Sequence, residues 1–500
     1  MGEIHDLESM RQAVKAVAEA ERVQYANNTE NSQDANVKIE VGQELTDLGN
    51  SGRLISRHGQ DLLYCYPWNF WLVWDGRRWL KDETGEIERR AAETIRDTLT
   101  EAIKAQREAE AAGNENRSKG LKELISHALA SQAKPRLQAM IHLARMQVPV
   151  LPADLDADPW LFNVQNGTLD LRTSKLRPHK RADKLTKLAP VEYDPAAKCP
   201  TFDRFILEIM DNRPELVSYL ARVFGYALTG NISEQCFFLF YGRGANGKST
   251  LLEAMRALLG DYASQAEFQT FLDRRADQGI NNDIAALRGA RLVTASEANA
   301  GRRLNESMIK QVTGGDPVTA RFLYAEFFSY LPTFKLVLAT NHKPRIRGVD
   351  HAIWRRVRLV PFDVQIPADR QDPTLLDQLK AELPGILNWT LQGLADCRAH
   401  GLNEPSPVNE ATNQYRESSD ELGPFLADCC VVHEQAQVSG GKLRQAYLEW
   451  CEANGQDAVG PKIFAALLED RGFKRNRTKQ KRLWQGIGLL AGNEEVPASG

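Results

Sequence analysis

Residues 237–250 read Phe237-Phe238-Leu239-Phe240-Tyr241-Gly242-Arg243-Gly244-Ala245-Asn246-Gly247-Lys248-Ser249-Thr250. The first five form an unbroken apolar run, the signature of a strand buried on both faces. Gly242–Ser249 then satisfy GxxxxGK[ST], and Leu251, Leu252, Met255 and Leu259 follow at helical spacing. Strand, glycine-rich loop and helix in this order predict a phosphate cradle. The glycines let backbone N–H groups turn inward, and the helix N-terminus adds partial positive charge. In that reading Gly242, Arg243, Gly244, Ala245, Asn246, Gly247, Lys248, Ser249 and Thr250 line the loop. Lys248 faces the β/γ phosphates of ATP, and the Ser249 hydroxyl serves as a ligand to Mg²⁺.

Further apolar runs extend the pattern. Leu292-Val293-Thr294-Ala295 and Leu336-Val337-Leu338-Ala339 read as buried strands, and Arg358-Leu359-Val360 as a weaker one. Separated by helical stretches, they predict an α/β core with a parallel sheet. Glu297 stands just past the first of these runs, where a P-loop enzyme needs an acid to support metal or orient water. Asn341 ends the next, either as a sensor of the terminal phosphate or as a turn former ahead of Pro344. Arg355 and Arg356 open the last, either as solvated charges or as an arginine finger reaching a neighbouring subunit.

The flanks differ in texture. Residues 1–48 are acidic and poor in apolar side chains, a flexible leader with one frayed helix. Residues 49–148 begin with Tyr64, Tyr66, Trp68, Phe70, Trp71, Trp74 and Trp79 around an Asp75-Gly76 turn, which predicts a hairpin with a small aromatic core or a base-stacking platform. Helices follow, with Ile95, Leu99 and Ile103 on one face, Leu121, Leu124, Ile125 and Leu129 on another, and Pro135 at a helix start. Residues 149–235 open as short strands with a turn at Asn166-Gly167. Glu404-Pro405-Ser406-Pro407 reads as a linker inside a helical region, 366–418. Within 419–492, helices over Leu443–Trp450 and from Pro461 precede a hairpin-like tail. Residues 471–482 of that tail carry seven basic and no acidic side chains, so Lys474, Arg475, Arg477 and Lys479 are candidates for contacts to DNA phosphates.

Composition bounds the rest. In 500 residues, 63 basic side chains oppose 66 acidic ones for a net charge of −3, which excludes a generally basic nucleic-acid coat protein. No apolar run approaches the roughly 18 residues of a membrane span. Seven cysteines without a CxxC predict a reduced, cytoplasmic chain with no structural zinc.

Taken together, Gly242–Thr250, Arg291–Glu297, Thr313-Gly314-Gly315-Asp316, Ala339-Thr340-Asn341 and Trp354-Arg355-Arg356 resemble, in order and spacing, the superfamily-3 helicases of the AAA+ class. The phage/plasmid primase–helicase branch, which includes the poxvirus primase-helicase, is the most similar. Asp158-Pro159-Trp160, Asn166-Gly167-Thr168-Leu169-Asp170-Leu171 and Phe224-Gly225-Tyr226-Ala227-Leu228-Thr229-Gly230 resemble that branch's pre-helicase domain.

The resemblance implies an AAA+ P-loop core over 236–365, a helical collar before it and a winged-helix-like domain after it. It also implies a homo-hexameric ring that hydrolyses ATP with Mg²⁺ and moves 3′→5′ on single-stranded and forked DNA. Catalysis would rest on Lys248, Ser249, Glu297 and Asn341, with Arg355 or Arg356 as the finger. Lys310, Arg321 and Tyr324, on or beside a pore hairpin over Phe322–Tyr330, would face DNA. Only about fifty residues, acidic ones, precede the family-like region, so any priming in the system is expected from a separate primase or polymerase. Two other classes remain open: an AAA+ remodeller or protein translocase, and a DNA-binding initiator that uses ATP as a switch. Use of the ring by a mobile element or defence system is also compatible with the sequence.

Overall fold

The computed structural model describes residues 44–273, 282–296, 302–321, 327–346, 351–477 and 482–490. These fall into two units. The first contains residues 44–64, 69–71 and 82–149; the second contains 65–68, 72–81 and the described residues from 150 onward.

The first unit is helical: Asp47–His58, Glu86–Ala111, Glu115–Ser131 and Lys134–Ala144, the last with Pro135 in its first turn. The helix at 47–58 escapes the sequence reading because its apolar content is low. It starts sharply because the Thr46 hydroxyl accepts from Gly49 N at 3.0 Å. The expected apolar faces are shifted. Ile95 is buried, but Leu99 and Ile103 are only half-buried, and the buried stripe runs through Ala91, Thr98, Ala102, Ala105 and Ala109. Small side chains there let the next helix approach closely. Leu129 is exposed and Ala128 takes the inward position.

In the second unit the Asp75-Gly76 turn forms as expected. Leu72, Val73 and Trp74 pair antiparallel with Lys81, Leu80 and Trp79, Gly76 sits at φ +97°, and Asp75 Oδ1 accepts from Arg77 N and Arg78 N at 2.7 Å each. Strands Leu161–Val164, Gly167–Asp170 and Lys175–Arg177 form a small antiparallel sheet. It is fastened to the core by the buried Arg291, which donates to Leu161 O at 2.7 Å and Leu228 O at 2.5 Å. The stretches around Pro159 and Gly230 meet directly, with Gly230 N donating to Pro159 O at 2.8 Å. Helices Pro214–Leu228 and Leu383–His400 cross so closely that a Cβ on Gly225 would lie 2.2 Å from Leu394 N, and one on Gly393 would lie 1.9 Å from Ala221 O.

The core sheet has five parallel strands: β1 (Phe237–Tyr241), β2 (Ala263–Gln265), β3 (Leu292–Ser296), β4 (Lys335–Thr340) and β5 (Val357–Pro361), in the order β5-β1-β4-β3-β2. Strand β2 has only three residues, two of them polar, which hides it from a hydrophobicity reading. The apolar runs are continuous because both faces are covered. Phe238, Phe240, Val337 and Val360 belong to one core, while Phe237, Leu239, Leu336, Leu338 and Leu359 belong to the other. Parallel strands put all five C-terminal ends at one edge, where α/β proteins bind ligands.

The expected linker at 404–407 is instead the start of a helix, Ser406–Ser418, with proline in its first turn. That helix lies along β5: Thr412 Oγ1 accepts from Leu359 N at 3.0 Å, and Tyr415 packs on Trp354 with ring centroids 5.2 Å apart. It therefore covers a sheet edge that would otherwise be open. Beyond it, strands β6 (Cys430–Ser439), β7 (Lys474–Arg477) and β8 (Arg482–Leu489) form an antiparallel sheet in the order β6-β8-β7, against helices Gly440–Ala453 and Pro461–Asp470. The two helices and tail hairpin are as expected; β6, half polar, is an addition.

Candidate nucleotide site

The loop after β1 is shaped by glycine at two positions. Gly247 has φ +78° and precedes the helix Lys248–Leu259 directly. Gly242 lies so near Phe362 that a Cβ would come within 2.2 Å of its carbonyl oxygen. The segment after β5 fastens the loop from behind, with Phe362 N donating to Tyr241 O and Ile366 N to Ala245 O, each at 2.7 Å. Arg243, Gly244 and Ala245 remain exposed. Among the described residues, no atom beyond Gly244 and its two chain neighbours lies within 4 Å of a Cβ built there. The loop is thus held on one side and open on the other, directly before the free N–H groups of a helix N-terminus. That combination fits a phosphate chain.

Lys248 lies under this loop, 6% exposed. Its Nζ donates to Gly242 O at 2.7 Å, Asn246 Oδ1 at 2.9 Å and Asn341 Oδ1 at 3.2 Å. Asn246 is oriented for this by donating its Nδ2 to Phe362 O at 3.3 Å. All three acceptors are neutral, and burial lowers the ammonium pKa to about 8. The anchoring role of Phe362 and Ile366 escapes the sequence reading, since backbone groups leave no trace in residue type.

Strand pairing brings the other candidates to the same edge. Ser296 is opposite Ala339 in the β3–β4 register, so the end of β3 and the Thr340-Asn341 corner lie side by side. The corner is stiffened by Thr340, whose Oγ1 accepts from His342 N at 2.9 Å and donates to His342 O at 2.6 Å. Ser249 is exposed at the head of the P-loop helix. Glu297, Tyr324 and Lys479 lie outside the described residues.

The two arginines before β5 are unlike. Arg355 is exposed. Arg356 is buried and donates to Thr313 Oγ1 at 3.2 Å and Ala352 O at 2.6 Å within its own chain. Swinging it outward would break both bonds, at about 1–3 kcal/mol for each buried group left unsatisfied. Of the pair, Arg355 is the exposed one.

Of the candidates for DNA, Lys310 and Arg321 are half-buried. Val318–Ala320 pairs antiparallel with Phe328–Tyr330, so a hairpin does follow the helix Glu306–Gly314. Arg321 stacks over the ring of Phe327 at 4.7 Å, and Phe327 is 65% exposed. In the tail, Lys474 and Arg475 are exposed on β7, where Arg475 pairs with Glu469 at 2.8 Å and lies over Trp484. Arg477 continues the same strand, opposite Arg482.

Residues 51–211 match the family model described as "D5 N terminal like". Aligned relatives carry the names of helicases and primases. "Putative helicase L207/L206" of Acanthamoeba polyphaga mimivirus is 27% identical over 325 residues, covering 60% of this chain and 34% of that protein. "Putative primase C962R" of African swine fever virus is 26% identical over 328 residues, with the same coverage. The chain is similar to the D5-like superfamily-3 primase–helicases. "Putative helicase 022R" of Frog virus 3 is a further relative, 24% identical, with 60% of this chain and 39% of that protein aligned. The alignments span about a third of the length of these relatives. Residues 240–356, which hold the P-loop, match a family of unknown function, DUF5906. Among solved structures, the apo C-terminal region of NrS-1 shares the fold, with a TM-score of 0.50 at 10% identity over 89% of this chain and all of that one. Among the described residues no helix is long and apolar enough to cross a membrane, and no cluster of His, Cys, Asp and Glu could hold a metal ion.

Proposed function

We propose that this chain is the motor of an ATP-dependent DNA helicase acting in replication, with an AAA+ core that works as a homo-hexameric ring moving 3′→5′. The observation that carries the reading is the meeting of Lys248 with Asn341 beneath an open, glycine-shaped loop. A lysine, a polar amide and a helix N-terminus converge where a terminal phosphate would sit. The sheet order supports the same reading: β1 with its loop lies between β4, which carries the Asn341 corner, and β5, which follows the arginines.

In hydrolysis, water attacks the γ-phosphorus, the bond to the bridging oxygen of ADP breaks, and ADP and phosphate leave. Lys248 and the helix N-terminus balance the phosphate charge, Asn341 holds the terminal phosphate or the attacking water, and Glu297 orients that water. Ser249 and Glu297 would hold Mg²⁺, which would supply positive charge to offset that of the phosphates. Arg355 would complete the site of a neighbouring subunit. Single-stranded and forked DNA are the substrates, gripped by the 318–330 hairpin with Lys310, Arg321 and Tyr324. The tail, read as a winged-helix-like domain, would hold duplex phosphates through Lys474, Arg475, Arg477 and Lys479. A separate primase or polymerase is the expected partner.

The testing experiment pairs ATPase with nucleotide binding. Glu297→Gln is expected to bind ATP as the wild type does and to lose turnover on single-stranded DNA. Near-normal turnover would remove Glu297 from the mechanism, and ATPase indifferent to DNA would favour a remodeller over a helicase.

A further inference from the structure

Arg356 sits at a junction that the nucleotide chemistry does not use. Its guanidinium rests on the C-terminal turns of two helices. Nε donates to Thr313 Oγ1 in Glu306–Gly314 at 3.2 Å, and Nη1 donates to Ala352 O in His351–Trp354 at 2.6 Å. Negative partial charge at helix C-termini favours a cation at this position. Thr313 is itself fixed, donating to Ile309 O at 2.6 Å. Nη2 lies 3.7 Å from the position of a Cβ on Gly314. The backbone of Arg356 is tied as well, its carbonyl accepting from Phe237 N at 2.9 Å where β1 begins.

The chain beyond Thr313 gives the junction its meaning. The helix ends at Gly315, φ +84°, and the backbone enters Val318–Ala320, the first strand of the hairpin with Phe328–Tyr330. On the other side, the residue preceding Arg356 is the exposed Arg355. A buried guanidinium that donates to two elements resists separation from either, because each orphaned bond stays desolvated. A backbone shift at 355–356 therefore carries Thr313 with it.

We propose that Arg356 is a positioning residue that couples Arg355 to the hairpin: when Arg355 engages a neighbour's phosphate, the Arg356–Thr313 bond transmits the displacement to the hairpin's first strand. The inference rests on the chain being a DNA-driven motor.

The test uses the full chain and compares basal ATPase with ATPase stimulated by single-stranded DNA. Thr313→Val keeps the shape and deletes the acceptor, while Thr313→Ser keeps it. Thr313→Val is expected to leave basal turnover near wild type and to reduce DNA stimulation about tenfold, a coupling loss of ordinary size for one buried bond. Thr313→Ser should retain the stimulation. Arg356→Lys, which keeps the charge but not the fork, should lose it too, and the Thr313→Val, Arg356→Lys double variant should be no worse than either single one. Wild-type stimulation in Thr313→Val, or an equal fall of basal and stimulated rates in both single variants, overturns the coupling while leaving the motor intact. A wild-type protein whose ATPase ignores DNA overturns the motor reading and the coupling together.

Discussion

Lys248 and Asn341 are 93 residues apart in sequence, yet Nζ donates to Oδ1 at 3.2 Å. Lys248 opens the helix that follows β1 and Asn341 directly follows β4, the neighbouring parallel strand, and the contact orders the site in advance. The lysine rests on three neutral oxygens, which a charged phosphate would outcompete, freeing the Asn341 amide to face it.

Different losses are therefore expected from the two side chains. Lys248→Ala should abolish both ATP binding at micromolar concentration and turnover. Asn341→Ala should keep binding within a few-fold and lower kcat by about 10²–10³, the usual cost of removing one preorganised polar group from a reacting centre. Fluorescent-nucleotide titration beside steady-state ATPase separates the two, and equal losses in kcat and affinity for Asn341→Ala would place it in ground-state binding.

The buried ammonium also makes binding pH-dependent. Burial lowers its pKa from 10.5 to about 8, whereas bound phosphates would favour the charged form and raise it. Affinity for ATP is thus full below about pH 8 and falls as pH rises above it, because binding must then take up a proton. Calorimetry in buffers of different ionisation heat should show uptake near zero at pH 7 and approaching one proton at about pH 9. Uptake independent of pH would mean that Lys248 is not the group that meets the phosphates.

Arg355 is exposed while Arg356 is committed to Thr313 and Ala352. Arg355→Ala should accordingly bind ATP normally and hydrolyse it about 10³-fold more slowly. Mixed with Lys248→Ala subunits, it should recover part of the activity, since some interfaces then pair an intact lysine with an intact arginine. No recovery at any ratio, in rings shown to contain both subunits, would leave Arg355 without a role in trans.

Much of this was legible in the residues, for physical reasons. The P-loop strand announces itself because β1 is covered on both faces, and Gly247 because only glycine takes φ +78° cheaply there. Arg355 and Arg356 could not be told apart, since which one turns inward is decided by Thr313, 43 residues away. The prolines at 405 and 407 read as a linker because proline ends helices as readily as it begins them; only packing along β5 decides. Leu129 was misplaced because alanine, not leucine, fills the tight helix contact. The strand order was beyond reach, as periodicity carries no information about which strands are neighbours.

The tail makes a separate prediction about salt. Neutralising Lys474, Arg475, Arg477 and Lys479 together should flatten the dependence of fork binding on salt by a log–log slope of up to about 3–4, at roughly 0.9 per lost phosphate contact. Arg475 alone should contribute less, because Glu469 already pairs with it. Fluorescence anisotropy across a salt series reads the slope, and an unchanged slope would make the cluster an ordinary solvated face.

The central claim is that ATP hydrolysis at Lys248 drives strand separation. Strand displacement on a forked duplex with a 3′ single-stranded arm tests it most directly, with the wild type and Lys248→Ala compared in ATP and in a non-hydrolysable analogue. The account predicts displacement by the wild type in ATP alone, none by the variant, and none when only a 5′ arm is offered. Robust ATP hydrolysis by the wild type with no displacement from either fork would contradict it.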